Sequence, residues 1–252
     1  MRPLPFVAAA ELPAVIVPLV AADLDELGRL AAACAATDGI DALEWRVDAL
    51  TEFDEGTPEA GTELFAAGLA AISAHTALPV LLTLRTADEG GAAELDEDAY
   101  TALLREALAA GPAAIDIEFA RRDAAELVAA AAEARVASVA SAHDFTDTPP
   151  AKQLLRTMQG MAEIGVAAAK VAVMPHTTTD VLAVLDAAER ASARLEIPVI
   201  VIAMGRKGRF TRLVGGEFGS AATFATVGEG SAPGQVTVAE VVQTLQVLAG
   251  ED

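Results

Sequence analysis

The sequence predicts an α/β protein with the (β/α)8 architecture of a TIM barrel, and three observations support this prediction. Short apolar segments, often β-branched, alternate with longer segments rich in alanine and leucine along the whole chain. Such strict alternation is typical of a parallel sheet covered by helices. Eight units in 252 residues favour a closed barrel over an open sheet. Since no linker or charge block divides the chain, we expect residues 1–252 to form a single domain.

Each element is assigned from its length and pattern, because strands are short and apolar whereas helices are longer and repeat with a helical period. The strands are predicted at residues 14–20, 42–50, 79–86, 113–119, 136–145, 167–175, 198–205 and 221–227. The helices are predicted at residues 23–37, 58–75, 95–109, 124–134, 152–164, 180–195 and 237–248. The seventh connection, 206–220, is rich in glycine and is expected to be irregular apart from one short helix.

The composition limits the partners that the protein can have. The formal net charge is −20 and no basic footprint of useful size is present, which argues against nucleic acid as a partner. No apolar stretch approaches the roughly 18 residues that a membrane span needs, so we expect no membrane segment and a cytoplasmic location. The single cysteine, Cys34, excludes an internal disulfide and a cysteine-rich metal site.

Charged and polar residues populate the carboxyl ends of the predicted strands, where TIM barrels carry their chemistry. On the second strand, alternation would direct three charges to one face, which is costly unless they pair or meet a ligand. The residues that we expect to converge on one mouth are Glu44, Arg46, Asp48, Arg85, Glu89, Asp116, Glu118, His143 and Lys170.

Lys170 stands out because it is one of three lysines and lies in the apolar segment 167–175. Desolvation disfavours the ammonium form of a lysine, and an uncharged amine can attack a ketone. Lys170 is therefore a candidate Schiff-base nucleophile. The alternative is a structural lysine whose stem reaches solvent from the edge of a strand.

His143 is the histidine that ends a predicted strand, next to the strand of Lys170. An imidazole there can shuttle protons near neutral pH, and a carboxylate such as Glu89 can orient it. A metal site is not expected, because the chain has no His-x-His, no His-Glu-x-x-His and no cysteine pair. The glycine-rich segments 205–208 and 228–234 could cradle a phosphate, and the second could equally be a mobile lid.

Five motifs occur together and, as a set, resemble the type I 3-dehydroquinate dehydratase family over nearly the whole chain. Each motif alone is weak, but their order and spacing make the set specific. They are Glu44-Trp-Arg-Val-Asp48, Arg85 with Glu89-Gly-Gly91, Ser141-x-His-Asp-Phe145, Lys170-Val-Ala-Val-Met-Pro175, and 218–224 followed by 231–235.

The resemblance implies a barrel enzyme of the shikimate pathway, usually a homodimer, that uses no metal or cofactor. Lys170 matches the residue that forms an imine with the C3 ketone of 3-dehydroquinate. His143 matches the general acid/base that removes the C2 proton and assists loss of the C1 hydroxyl, which gives 3-dehydroshikimate. Glu89 matches the carboxylate beside that histidine. The substrate-binding matches are Glu44, Arg46 and Arg85 for the ring hydroxyls, and Arg212, Ser231 and Gln235 for the carboxylate.

Two other functions stay open at the level of the sequence. One is another Schiff-base barrel enzyme, such as an aldolase on a phosphorylated sugar, which would need a phosphate site after strands seven and eight. The other is a catalytically silent barrel kept for binding, which the joint presence of Lys170, His143 and Glu89 argues against. The chain also departs from the family pattern at Pro18, where some members have a serine, so a hydroxyl contact from the first strand is absent.

Overall fold

A computed structural model of the chain shows parallel strands that alternate with helices. It describes residues 2–7, 12–51, 58–228, 234 and 236–250. The strands are β1 (Ala14–Leu19), β2 (Ala42–Arg46), β3 (Val80–Thr83), β4 (Ala114–Glu118), β5 (Ala137–Asp144), β6 (Ala168–Val173), β7 (Val199–Ala203) and β8 (Ala222–Phe224). The helices are α1 (Leu24–Ala35), α2 (Pro58–Ser73), α3 (Glu97–Ala109), α4 (Ala124–Glu133), α5 (Ala151–Glu163), α6 (Thr178–Ser192), α7 (Gly205–Val214) and α8 (Val238–Ala249). Among the described residues, no helix combines the length and the apolar character that spanning a bilayer requires.

The sheet closes on itself. Its strands follow the order β7-β6-β5-β4-β3-β2-β1-β8, and the paired strands are parallel. β7 and β8 meet through a bridge between Val199 and Ser220, and the Ala221 N–H donates to the Val199 carbonyl oxygen at 2.7 Å. The predicted (β/α)8 barrel is therefore confirmed.

Alternation of side chains along the strands divides the core into two layers. The outward-facing residues, with Trp45 the largest, pack beneath the helices. The inward-facing residues fill the barrel, and many of them are alanines. On β6 the inward-facing neighbours of Lys170 are Ala168 and Ala172, both small and buried. These small residues leave room for the long lysine side chain inside the barrel.

The position of Asp48 corrects one local prediction. The second strand was expected to extend to residue 50, but β2 ends at Arg46 and Asp48 lies in a 3₁₀ turn at Val47–Ala49. Strand alternation therefore does not place Asp48 on the face of Glu44 and Arg46. The turn brings Asp48 back onto the side chain of Arg46 instead.

The connection predicted to be irregular at 206–220 is more ordered than expected. It contains α7, of ten residues, and then a 3₁₀ turn at Gly215–Phe218. A Cβ atom at Gly208 would lie 2.2 Å from the Ala203 carbonyl oxygen, so this glycine lets α7 pack directly on β7. The Thr211 hydroxyl reinforces the packing, because it accepts from the Ala203 N–H at 3.0 Å. Gly208 is therefore needed for the close approach of α7 to β7 and not for a turn.

Candidate active site

A cavity of about 190 Å³ opens at the carboxyl ends of the strands. Its walls bring together residues from β1, β2, β5, β6, β7, β8 and α7, which are distant in sequence. Its charged and titratable wall residues are Glu44, Arg46, His143, Lys170 and Arg212. All five were predicted to belong to one site, and the structure places them in one cavity.

Lys170 is buried on β6, and its amine lies between acidic and aromatic neighbours. Nζ donates to Glu44 Oε1 at 3.0 Å and lies 3.6 Å from Asp116 Oδ2. It also lies 4.5 Å from the centre of the Phe224 ring. The amine therefore has two carboxylates within 4 Å. The carboxylates also fix where the amine points.

His143 and Glu89 form a hydrogen-bonded pair at the end of β5. The distance between His143 Nδ1 and Glu89 Oε2 is 2.8 Å, and both side chains are about nine-tenths buried. Burial raises the pKa of the Glu89 carboxyl to about 8, although the charge of Arg85 opposes this shift. Burial, and then the charges of Arg85, Lys170 and Arg46, hold the pKa of His143 well below its ordinary value. The imidazole is thus kept neutral, and Glu89 controls its orientation.

Arg85 lies at the centre of a buried ionic network, which we call the Arg85 cluster: Arg85, Glu89, Asp116, Glu118 and Ser141. Its Nη1 donates to Glu89 Oε2 at 3.1 Å, Glu118 Oε1 at 3.1 Å and Ser141 Oγ at 3.0 Å, while Nη2 donates to Asp116 Oδ1 at 2.7 Å. Burial alone would lower the pKa of Arg85, but the three carboxylates raise it above its ordinary value. The cavity walls do not include Arg85, so its predicted contact with substrate stays a prediction.

Arg46 and Asp48 form a second ion pair that anchors the β3–α3 loop. Arg46 donates to Asp48 in bidentate fashion, from Nε at 2.8 Å and from Nη2 at 2.7 Å. Asp48 also accepts the backbone N–H groups of Arg85 at 3.2 Å and Ala92 at 3.1 Å. Burial would raise the pKa of Asp48, but these bonds and the Arg46 charge hold it below its ordinary value. The side chain of Arg46 is thus fixed by Asp48 and still lines the cavity.

Arg212, in the last turn of α7, has no carboxylate partner among the residues that the structure describes. Its Nη1 donates to the Phe224 carbonyl oxygen at 3.4 Å, and its buried Nε has no hydrogen-bond partner within the described part of the chain. Burial lowers the pKa of Arg212 from its ordinary value, and the charge of Glu44 opposes this. The other two residues predicted to hold the substrate carboxylate, Ser231 and Gln235, lie outside the described residues.

One residue between those two, Gly234, is described. At Gly234 (φ +87°), a Cβ atom would lie 2.2 Å from the Gly205 carbonyl oxygen. The backbone at 234 therefore packs against the first residue of α7, next to the cavity wall at Met204. Only glycine permits both this approach and this conformation.

Some of these residues were expected at the mouth without an assigned role, and others were not expected there. Asp116 and Glu118 were placed at the mouth because they alternate on β4, but not as partners of Lys170 and Arg85. The contacts of Arg121 with the β3–α3 loop were not predicted at all. Arg121 has no apolar pattern around it that would signal burial, although its position just past a strand end is a weak indication.

Together, the fold and the cavity define a barrel enzyme with a buried lysine and a histidine–carboxylate pair at its mouth. The model of the family described as Type I 3-dehydroquinase matches residues 15–252, so the chain belongs to this family. It is a hydro-lyase. The prediction from the five motifs, that the chain is a type I 3-dehydroquinate dehydratase, is confirmed.

Curated relatives and solved structures agree with this assignment. The 3-dehydroquinate dehydratase of Klebsiella pneumoniae (strain 342) is 38% identical over 243 residues, which covers 93% of each chain. That of Lactiplantibacillus plantarum is 37% identical over 211 residues, 82% of each chain. The crystal structure of the enzyme from Geobacillus kaustophilus HTA426 superimposes with a TM-score of 0.84 at 33% identity, over 95% of this chain and 92% of that one. The type I enzyme of Clostridium difficile gives 0.85 at 30% identity, over 95% and 93%.

Proposed function

We propose that the protein dehydrates 3-dehydroquinate to 3-dehydroshikimate in the shikimate pathway, through a Schiff base on Lys170. The observation that carries this proposal is that Lys170 and His143 line one cavity from neighbouring strands. The relatives named above are 3-dehydroquinate dehydratases, and the Clostridium difficile structure contains covalent modified comenic acid. A covalently modified ligand in that relative supports covalent chemistry here.

Lys170 Nζ is the nucleophile in this proposal. Its neutral amine attacks the C3 ketone, and loss of water from the carbinolamine gives a protonated imine. The ammonium must first release a proton, and Glu44 Oε1 is an acceptor at 3.0 Å. The imine then withdraws electrons from C2, which makes the C2 proton easier to remove. Hydrolysis of the imine after dehydration returns the free lysine.

His143 removes the C2 proton and returns it to the C1 hydroxyl, which leaves as water. When the Glu89 carboxylate accepts the proton of Nδ1, Nε2 has a free lone pair and acts as the base. When Glu89 is protonated, it donates to Nδ1 and the ring proton lies on Nε2, so the imidazole is not a base. Because the pKa of Glu89 is raised to about 8, we expect kcat/KM to rise with pH as Glu89 ionises.

Substrate binding is assigned to the two charged sides of the cavity. Glu44 and Arg46 are proposed to contact the ring hydroxyls, as charged groups already fixed in the wall. Arg212 is proposed to bind the substrate carboxylate in bidentate fashion, together with Ser231 and Gln235. A guanidinium without a carboxylate partner in the described residues is well suited to this, and it would reverse locally the field of a chain with a net charge of −20.

Three further properties belong to the proposal. We propose that residues 1–252 act as one catalytic domain and that no metal or cofactor takes part, since an imine already supplies the electron sink. The homodimer, the cytoplasmic location and the absence of a nucleic-acid partner stay predictions. Gel filtration with light scattering would test the first of these directly.

The proposal is tested by intact-protein mass spectrometry after incubation with 3-dehydroquinate and sodium borohydride, followed by peptide mapping. The chain has three lysines, Lys152, Lys170 and Lys207, so the modified position is easily assigned. We expect one adduct, on Lys170, in the wild type and in the control variant Lys207→Ala. Lys170→Ala should fold, because alanine fits the inward face of β6, and should form no adduct.

A second variant separates the imine step from the proton transfer. His143→Ala should form the adduct but show no enone absorbance from 3-dehydroshikimate, because the C2 proton is not removed. Dehydration by the wild type without any adduct would contradict the Schiff base and keep the reaction. If the wild type gave neither adduct nor product, the proposed function would be wrong.

A further inference from the structure

Arg121 makes more contacts than a residue in a surface turn needs. It follows β4, yet its side chain is only 8% exposed. It donates from Nε to Glu118 Oε2 at 2.9 Å and from Nη2 to Asp88 Oδ2 at 3.1 Å and to the Thr86 hydroxyl. Its guanidinium also lies over the Tyr100 ring, 5.1 Å from the ring centre. Arg121 therefore joins the end of β4 to the β3–α3 loop.

The loop that Arg121 holds is the one that carries Glu89. Of its two partners in this loop, Thr86 caps the N-terminus of the 3₁₀ turn Ala87–Glu89 and Asp88 lies within it. The Thr86 carbonyl oxygen accepts the N–H of Glu89 at 3.0 Å and that of Gly91 at 2.8 Å. A displacement of Thr86 would therefore move the backbone of Glu89, and with it the carboxylate that orients the catalytic histidine.

Arg121 also balances the charge of the Arg85 cluster from outside. Glu118 has two cationic partners, Arg85 at Oε1 and Arg121 at Oε2. Without Arg121, Glu118 would depend on Arg85 alone, and its charge would act more strongly on Glu89. The repulsion between two carboxylates favours protonation of one of them.

The groups that face the Glu89–His143 pair come from four strand ends. Glu89 faces Arg85 after β3, and Asp116 and Glu118 on β4. The charges that act on His143 are those of Arg85, Lys170 on β6 and Arg46 on β2. Arg121 reaches this set from the outer side of Glu118. It is not among the residues that line the cavity.

We propose that Arg121 is a positioning residue for the Glu89–His143 pair, which it controls through Thr86 and Glu118 without touching substrate. The proposal rests on the proposed function, because it gives the pair the role of base. Its physical content is that Arg121 holds Glu89 in place and favours its ionised form, in which His143 carries its free lone pair on Nε2.

The test compares Arg121→Gln with Arg122→Gln. Arg122 is the next residue along the chain, but it is 58% exposed and pairs with Asp98 and Asp123, away from the site. We expect Arg121→Gln to lower kcat about tenfold near neutral pH with KM changed less than about twofold, since only the geometry and ionisation of the base are altered. The acid limb of the kcat profile should move up by about one pH unit. Arg122→Gln should match the wild type at every pH.

Two further variants keep the test decisive if Arg121→Gln folds poorly. Thr86→Val removes the hydroxyl that receives Arg121 and should move the acid limb in the same direction. Arg121→Lys keeps the charge but not the planar fork, so it should recover part of kcat. An acid limb unchanged in folded Arg121→Gln and in Thr86→Val would overturn the proposal, as would an equal effect of Arg122→Gln.

Nuclear magnetic resonance of labelled histidines makes the result independent of turnover. The chain has three histidines, so the His143 signals can be assigned with His143→Ala. In Arg121→Gln we expect the proton of the neutral ring to move from Nδ1 toward Nε2 at a given pH, compared with the wild type. An unchanged tautomer would refute the role of Arg121 even if the wild type did not dehydrate 3-dehydroquinate. Wild-type borohydride trapping, measured in the same series, reports on the proposed function separately.

Discussion

The two sides of the cavity mouth surround an arginine guanidinium in opposite ways. On the β3–β5 side, Arg85 has the carboxylates of Glu89, Asp116 and Glu118 at 3.1, 2.7 and 3.1 Å. On the α7–β8 side, Arg212 has no ion pair with any residue that the structure describes, and its Nε has no described hydrogen-bond partner. One cation is neutralised by the fold, and the other has no carboxylate partner in the part of the chain that the structure describes.

The difference shows what each arginine is for. Removing an ion from water costs several kcal/mol, so a buried guanidinium needs partners from the protein or from a ligand. Arg85 obtains them from three strand ends and thereby fixes the carboxylates around Lys170 and His143. Arg212 has the Phe224 carbonyl oxygen but no carboxylate in the described residues, as expected of a residue whose anionic partner arrives with the substrate.

The largest effect is expected from Arg85→Met, which removes the charge and keeps most of the side-chain volume. Three buried carboxylates would lose their common cation, so the free energy of unfolding should fall by about 3–5 kcal/mol in urea denaturation. Arg105→Gln is the control, because the Arg105–Glu126 pair is exposed and should contribute less than about 1 kcal/mol. If Arg85→Met kept wild-type stability and only raised KM, Arg85 would be a substrate ligand and the contrast with Arg212 would fail.

The next effect, on binding, is expected from Arg212→Gln. A charge-assisted hydrogen bond contributes about 1.5–3 kcal/mol, so KM for 3-dehydroquinate should rise about 10- to 100-fold in steady-state assays. The free energy of unfolding should not fall, because no described carboxylate loses a partner. Arg209→Gln, on the exposed face of the same helix, should leave KM unchanged. A loss of stability as large as that of Arg85→Met would show that Arg212 is also neutralised by the fold.

Most of the fold could be predicted from the sequence, because burial on both faces imposes a simple pattern on barrel strands. β4, predicted at 113–119, runs from Ala114 to Glu118, and β6, predicted at 167–175, runs from Ala168 to Val173. The ends of the elements were harder, since they depend on hydrogen bonds that no periodicity reports. β2 stops at Arg46 because the 3₁₀ turn at Val47–Ala49 follows it.

The site, like the fold, could be predicted only in part. Lys170 and His143 were predicted to share one mouth, because a parallel barrel brings the carboxyl ends of all strands together. Arg212 was added to the site by the family resemblance alone. The assignment of Arg85 to the interior of an ionic network could not be made, since it requires knowing which of several carboxylates lies within hydrogen-bond distance of which nitrogen. Arg121 was missed for the same reason: its partners on the β3–α3 loop are defined by how two loops pack, and not by spacing along one strand.

The smallest effect is expected from Glu89→Gln. This variant tests whether Glu89 neutralises Arg85 in the same way as Asp116 and Glu118 do. The pKa of Glu89 is raised from 4.5 to about 8 by burial, so the folded protein binds this proton more tightly than the unfolded chain. The stability that the proton contributes is complete below pH 4.5 and is lost as the pH rises through about 8. Glutamine cannot ionise, so Glu89→Gln should lack this part of the decline in thermal melts across that range.

The same variant should change catalysis in a way that Arg85→Met and Arg212→Gln cannot. A glutamine can donate to Nδ1 of His143 as well as accept from it, so the tautomer with a free Nε2 is no longer enforced. We expect kcat to fall about tenfold and the acid limb set by Glu89 to disappear, leaving the titration of His143 alone. A wild-type pH profile in Glu89→Gln would mean that Glu89, although it is paired with Arg85, does not set the acid limb. The carboxylate would then serve only to balance its arginine, as Asp116 and Glu118 do.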